Sequence, residues 1–200
     1  MSAETDKMEL TERLKLIESM IAEGRRSTGR WGWTFVLWGV AYYVAEAWAI
    51  WGRSWLAWPV TMVAAFVISS LVASRMKHGR PATTLGRAVG APWIAMGISI
   101  MTVLIALAVS GRYDPHVYIA IIGAMLGTAH LTSAIILKWK MQFACALVWL
   151  AAGVVACFGS QAVAGIGFLA ATFLGQIVFG IYAMVLEARR GRQGEKTEYA

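Results

Sequence analysis

The chain has 200 residues, of which 58% are hydrophobic and only 14% charged, and its formal net charge is +7. A soluble domain of this size carries more charge on its surface, so the composition excludes an ordinary soluble fold. The cations cluster at the ends of long apolar runs and form no polar stripe, which excludes nucleic acid as the partner of that positive charge.

Residues 1–30 predict an amphipathic helix followed by a basic, membrane-flanking step. Over 5–24, Leu10, Leu14, Ile17 and Ile21 recur at spacings of four, three and four, which sets one apolar stripe on a helix. The same spacing fits two heptads of a short coiled coil, and Met8, Leu16 and Met20 widen the stripe. Residues 1–24 hold six acids and three bases. An anionic leaflet repels such a helix, so the expected contact is with protein: its own bundle, a second copy in a homodimer, or a membrane or cytoplasmic partner. The cations Arg25, Arg26 and Arg30 come only afterwards. No cleaved signal peptide is expected, because no apolar core stands early in the chain.

Residues 31–186 contain six apolar runs: 31–51, 55–74, 88–109, 115–137, 141–158 and 162–186. Each is long enough to cross a bilayer as a helix, and hydrocarbon requires helices because every backbone group must be bonded within its segment. The expected fold class is all-α, an integral membrane bundle of six transmembrane helices with the amphipathic helix on its cytoplasmic side. Three short outward turns, Gly52-Arg53-Ser54, Gly111-Arg112-Tyr113-Asp114 and Gly159-Ser160-Gln161, join the spans into three antiparallel hairpins. Each turn offers a glycine just past a helix end, where a left-handed residue costs little. Asp114 then Pro115 reads as an N-cap followed by proline in the first turn. Pro59 takes a similar early place, and Pro92 marks a helix start.

Sixteen of the eighteen Lys and Arg residues fall on one side of this pattern. They are Lys7, Arg13, Lys15, Arg25, Arg26 and Arg30 before the first span; Arg75, Lys77, Arg80 and Arg87 after the second; Lys138 and Lys140 after the fourth; and Arg189, Arg190, Arg192 and Lys196 in the basic, polar tail 187–200. Only Arg53 and Arg112 lie opposite. Positive-inside sorting then predicts a cell-membrane protein with both termini cytoplasmic. Trp31, Trp33, Trp93 and Trp139 fall at inner ends and Trp48, Trp51, Trp55 and Trp58 at outer ends, the depth amphipathic rings favour. Trp38 and Trp149 lie deeper and are expected to pack between helices.

Two ionisable residues stand well inside the spans, Glu46 and His130, and such residues are costly in lipid. Glu46 lies about 7 Å below the outer end, with Tyr42 one turn deeper and Arg53 two turns outward. These three form a candidate outer-face ionisable site, read either as a proton or cation site or as a carboxylate bonded to Tyr42 or paired with Arg53 or Arg112. His130 lies about 15 Å deeper than Glu46, so the two form no direct pair. At the depth of His130, the topology sets Gln176, Ser69, Ser70 and Cys145, with Thr128, Thr132 and Ser133 close by. These residues form a candidate polar layer, able to carry a proton or to hydrogen-bond helices together. Gly123 and Gly127 make a GxxxG pair, and Gly167, Ala171 and Gly175 repeat every four residues, both patterns that allow close helix packing.

One histidine and one cysteine supply too few ligands for a metal, and no cofactor is expected. Cys145 and Cys157 are about 18 Å apart along one helix and cannot bridge. No HExxH, GxSxG, P-loop or nucleotide-binding glycine motif is present, so no enzyme is expected. Two functions follow. One is a non-catalytic regulatory or complex-forming subunit that binds through the N-terminal helix. The other is a small homo-oligomeric transporter or channel, proton- or cation-linked, using the His130 layer and Glu46.

Overall fold

The computed structural model describes residues 2–54, 56–76, 84–112 and 114–198. Trp55, Lys77, Arg80 and Tyr113 lie outside the described residues, as do the side chains of Arg192 and Lys196. The described chain is all-helical: α1 (Ser2–Arg30), α2 (Gly32–Gly52), α3 (Ala57–Met76), α4 (Thr84–Val109), α5 (Pro115–Leu137), α6 (Lys140–Phe158), α7 (Gln161–Thr172), a π-helical turn (Phe173–Val178) and α8 (Phe179–Glu198). Five helices are long and apolar enough to cross a membrane: α3, α4, α5, α6 and the continuous stretch Gln161–Arg190. This is a multi-pass membrane protein. α2 is as long as these, but Trp, Tyr and Gly residues and Glu46 dilute its hydropathy and keep it outside that set.

Local chemistry sets the helix ends. The Asp114 carboxylate accepts the His116 backbone N–H at 2.9 Å, with Pro115 opening α5. Ser160 caps α7 by accepting from Val163. The left-handed residues only partly follow the glycines. Gly111 has φ +68°, but in the first turn Arg53 takes that conformation at φ 46°, while Gly52 ends α2. Gly159 is extended, with φ −84° and ψ 167°. Pro92 lies inside α4, which starts at Thr84, and so does not mark its beginning.

The tightest pairing is between α5 and α6, joined by the two-residue turn Lys138–Trp139 on the α1 side of the bundle. A Cβ on Gly123 would lie 2.8 Å from the Gly153 Cα and 2.9 Å from the Trp149 carbonyl oxygen, so the backbones touch. Gly127 admits Leu150 in the same seam. A second seam joins α2 to α8. A Cβ on Gly32 would meet the Gly180 carbonyl at 2.7 Å, and one on Gly180 would meet the Gly32 carbonyl at 2.6 Å. α3 packs its backbone on α2 alone, and α4 on α5 and α1. Both carry mostly exposed apolar surface, which lipid covers.

α2 follows α1 with only Trp31 between them. The last ten residues of α1 pack on the bundle: Gly24 sits against Leu137 and Leu85, and Gly29 against Ala183 and Glu187. Arg25 locks this joint. Its Nε donates to the Leu137 carbonyl at 2.8 Å and its Nη2 to the Lys138 carbonyl at 2.7 Å, capping the C-terminus of α5 with a cation.

Glycines in the seam and in lipid are therefore distinguishable. Gly123→Ala forces two backbones apart and is expected to cost about 1–3 kcal/mol. Gly97→Ala, with nothing within 4 Å of its Cβ, is expected to be neutral or slightly stabilising. Thermal unfolding of both variants in one detergent checks the pair.

Candidate functional site

The predicted polar layer forms in part. His130 is fully buried on α5 and sits among three rings: Trp93 edge-on at 4.8 Å, Phe179 at 5.4 Å and Phe35 at 5.7 Å between centroids. Neither of its ring nitrogens has a hydrogen-bond partner. Ser133, one turn along, accepts the Trp93 indole N–H at 2.9 Å and ties α4 to α5. Cys145 is buried in the cluster that holds Phe35, Phe179 and Leu137, and so shares the neighbours of His130. Gln176 is buried in the π turn, with its Cβ 3.1 Å from where a Gly39 Cβ would stand.

The serines of α3 stay apart. Ser69 has a buried hydroxyl with no partner and Ser70 is exposed, on a helix whose backbone meets α2 alone. Matched depth does not bring a peripheral helix to the core. Thr128 and Thr132 bond back to their own helix, to the Ala124 and Thr128 carbonyls.

Two buried polar residues with unbonded side chains, Gln142 and Thr172, escaped the sequence reading. Gln142, two residues into α6, has neither end of its amide bonded. Thr172, four residues before Gln176, has an unbonded hydroxyl. The Trp149 indole N–H is buried without a partner, against the Cα of Gly175. The i, i+4 spacing of Thr172 and Gln176 was a usable signal for Thr172. Nothing in the sequence marked the π turn itself. Such turns occur preferentially at functional sites. Among the described residues, no three His, Cys, Asp or Glu side chains gather to hold a metal.

At the opposite end, Glu46 is half-buried and makes no hydrogen bond or ion pair among the described residues. None of its expected partners bonds to it. Tyr42 is buried with its ring 5.7 Å from Phe168 and 6.0 Å from Trp58, and Arg53 is exposed. The neighbouring Tyr43 is the phenol that finds a partner, donating to the Leu169 carbonyl at 2.8 Å. In the turn beyond, the His116 backbone N–H, and then its imidazole, hold the exposed Asp114 carboxyl below the ordinary aspartate value.

The α1 stripe is the third candidate. Leu10, Leu14 and Ile17 are 59%, 54% and 51% exposed, and Ile21 is half-buried. The series runs on, at spacings of three and four, into Gly24 and Thr28, both buried against the bundle. One face of one helix is thus covered near the membrane and bare beyond it. The reading in which α1 folds back on its own bundle fails for residues 7–20, which are exposed all round. Comparison with protein-family models, curated proteins and solved structures finds no match.

The Trp93–Ser133 bond is a satisfied polar contact beside His130. Ser133→Ala is expected to cost about 1–3 kcal/mol, because it leaves the indole N–H unpaired. Adding Trp93→Phe removes that orphan, so the double variant should lose less than the sum of the singles. Denaturation of all four proteins in a double-mutant cycle reads this.

Proposed function

We propose that this protein is a non-catalytic, complex-forming or regulatory membrane subunit, and that residues 7–21 of α1 are its docking arm. In this reading α2 also crosses the membrane, giving six spans. Both termini lie on the cytoplasmic side, where sixteen of the eighteen cations collect. The partner is then a cytoplasmic protein or the cytoplasmic part of another membrane protein.

The observation that carries the proposal is the bare stripe of Leu10, Leu14 and Ile17 on the face that is buried at Gly24 and Thr28. Large apolar side chains lined up on one face in water mark an interaction surface. Arg25 holds the base of the arm, so the stripe is presented in a defined direction. Acids flank it: Glu9 pairs with Arg13, while Glu12 and Glu18 make no ion pair among the described residues. A partner groove with an apolar floor and basic rim complements this arrangement.

Leu14→Glu with Ile17→Glu tests the arm. Burying each side chain contributes about 1.5–3 kcal/mol, so the pair should weaken the complex by more than about a hundredfold. Native mass spectrometry from the protein's own membranes should show loss of a stoichiometric partner, or of a second copy, with unchanged bundle unfolding. Retention of the same assembly would reject the arm.

The unpartnered polar atoms of His130, Gln142, Trp149 and Thr172, next to a π turn, favour a second reading. In it the protein is a small homo-oligomeric proton- or cation-linked transporter or channel, with Glu46 near the outer mouth. The subunit reading expects His130→Leu to leave liposome proton and cation flux unchanged and to hold or raise stability, since two unpaired nitrogens disappear. Loss of flux in a folded His130→Leu protein would favour the transporter.

A further inference from the structure

A strip of exposed apolar side chains runs down one face of the last helix and ends at a cation. Val178, Ile181, Tyr182, Val185, Leu186 and Arg189 line a shallow groove of about 400 Å³. Their spacings of three and one put them all on one side of the helix. Tyr182 is held in place by Trp139, with ring centroids 6.3 Å apart, and Trp139 is itself buried against Phe179 at 5.4 Å. Lys140 follows Trp139 and opens α6 on the same side of the membrane. Neither Lys140 nor Arg189 has an ion pair or hydrogen bond among the described residues. The acid nearest in sequence, Glu187, is turned toward α1, with its Cβ 2.9 Å from where a Gly29 Cβ would stand.

We propose that this face binds an anionic phospholipid of the leaflet on the α1 side. An acyl chain lies along Val178, Ile181 and Val185, Tyr182 sits at the hydrocarbon boundary, and Arg189 and Lys140 hold the phosphate. The apolar strip alone fits any lipid. Arg189 ends the strip and Lys140 follows the Trp139 that holds Tyr182, and these two unpaired cations supply the selection, because basic pockets on the inner side of spans bind anionic headgroups. A zwitterionic lipid fills the same strip but brings its own cation beside these two. A second copy fits worse: a two-fold contact about the membrane normal sets Arg189 against Arg189 of the partner at the same depth. The inference needs the last helix to cross the membrane and does not depend on the docking role of α1.

The test is native mass spectrometry of the full chain in a neutral detergent with equal phosphatidylglycerol and phosphatidylcholine of matched chain length. The wild-type protein should retain phosphatidylglycerol in preference. Lys140→Gln with Arg189→Gln should lower the phosphatidylglycerol-to-phosphatidylcholine adduct ratio by about fivefold or more, the effect of one to two interfacial cations. Arg189→Gln alone should shift it the same way, and Lys140→Arg with Arg189→Lys should preserve it. Arg75→Gln, a cation at the end of α3, should leave it unchanged. A wild-type ratio near one, or an Arg75→Gln effect as large as that of the double variant, overturns the proposal.

Discussion

Backbone contact at two glycine seams sets the position of everything else in this bundle. Lipid tails are as apolar as leucine, so helices in a bilayer gain little from the hydrophobic effect and associate through close van der Waals packing. Gly123 against Gly153 brings α5 onto α6, and Gly32 against Gly180 brings α2 onto α8. The two pairs are then tied across the last span. Gly175 receives Trp149 from α6, and Gly39 receives Ile177 and the Cβ of Gln176 from the other side. The π turn Phe173–Val178 falls where both seams press on one helix. A regular turn rotates successive residues by a fixed amount, and one added residue changes which side chains face each neighbour.

This division also explains where polar atoms collect. α2, α5, α6 and the last span enclose the core, so His130, Gln142, Thr172 and Gln176 are buried there. α3 and α4 lean on that core from outside, which leaves Ser70 facing outward although its depth suits the layer. Buried polar atoms without partners cost roughly 1–3 kcal/mol each. A sequence retains several of them only where something offsets the cost. The three rings around His130 fill its surroundings without bonding either nitrogen.

Much of the architecture was legible from residues that act locally. The Asp114-Pro115 cap defines the start of α5, and the GxxxG pair Gly123 and Gly127 does face a neighbouring helix inside the bundle. The burial of Trp149 followed from its depth in an apolar run. What depended on which helices meet was not legible. Depth along a span is a one-dimensional quantity, and it grouped Ser69 and Ser70 with His130 when only the seams could decide. Left-handed turn residues show the same limit. Glycine adopts that conformation at least cost, yet the chain's path placed it at Arg53 and Lys138, not at Gly52 or Gly159.

The first helix shows how one periodic pattern is used twice. Positions 10, 14, 17, 21, 24 and 28 form one series on α1, and Phe35, Gly39 and Tyr42 carry it on through α2, all three buried. Below Trp31 the series packs a membrane bundle, and at Gly24 and Thr28 it packs the bundle's end. Beyond Ile21 the same face has nothing opposite it. A 29-residue helix is about 44 Å long, and among its described side chains residues 7–20 are left exposed by the fold. The segment from Met8 to Met20 contains no Gly or Pro, so no residue there interrupts the helix that carries the stripe. The Arg25 cap then takes on a purpose beyond closing α5. By fixing the joint between α1 and the Lys138–Trp139 turn, it reduces the orientations available to the exposed part of α1.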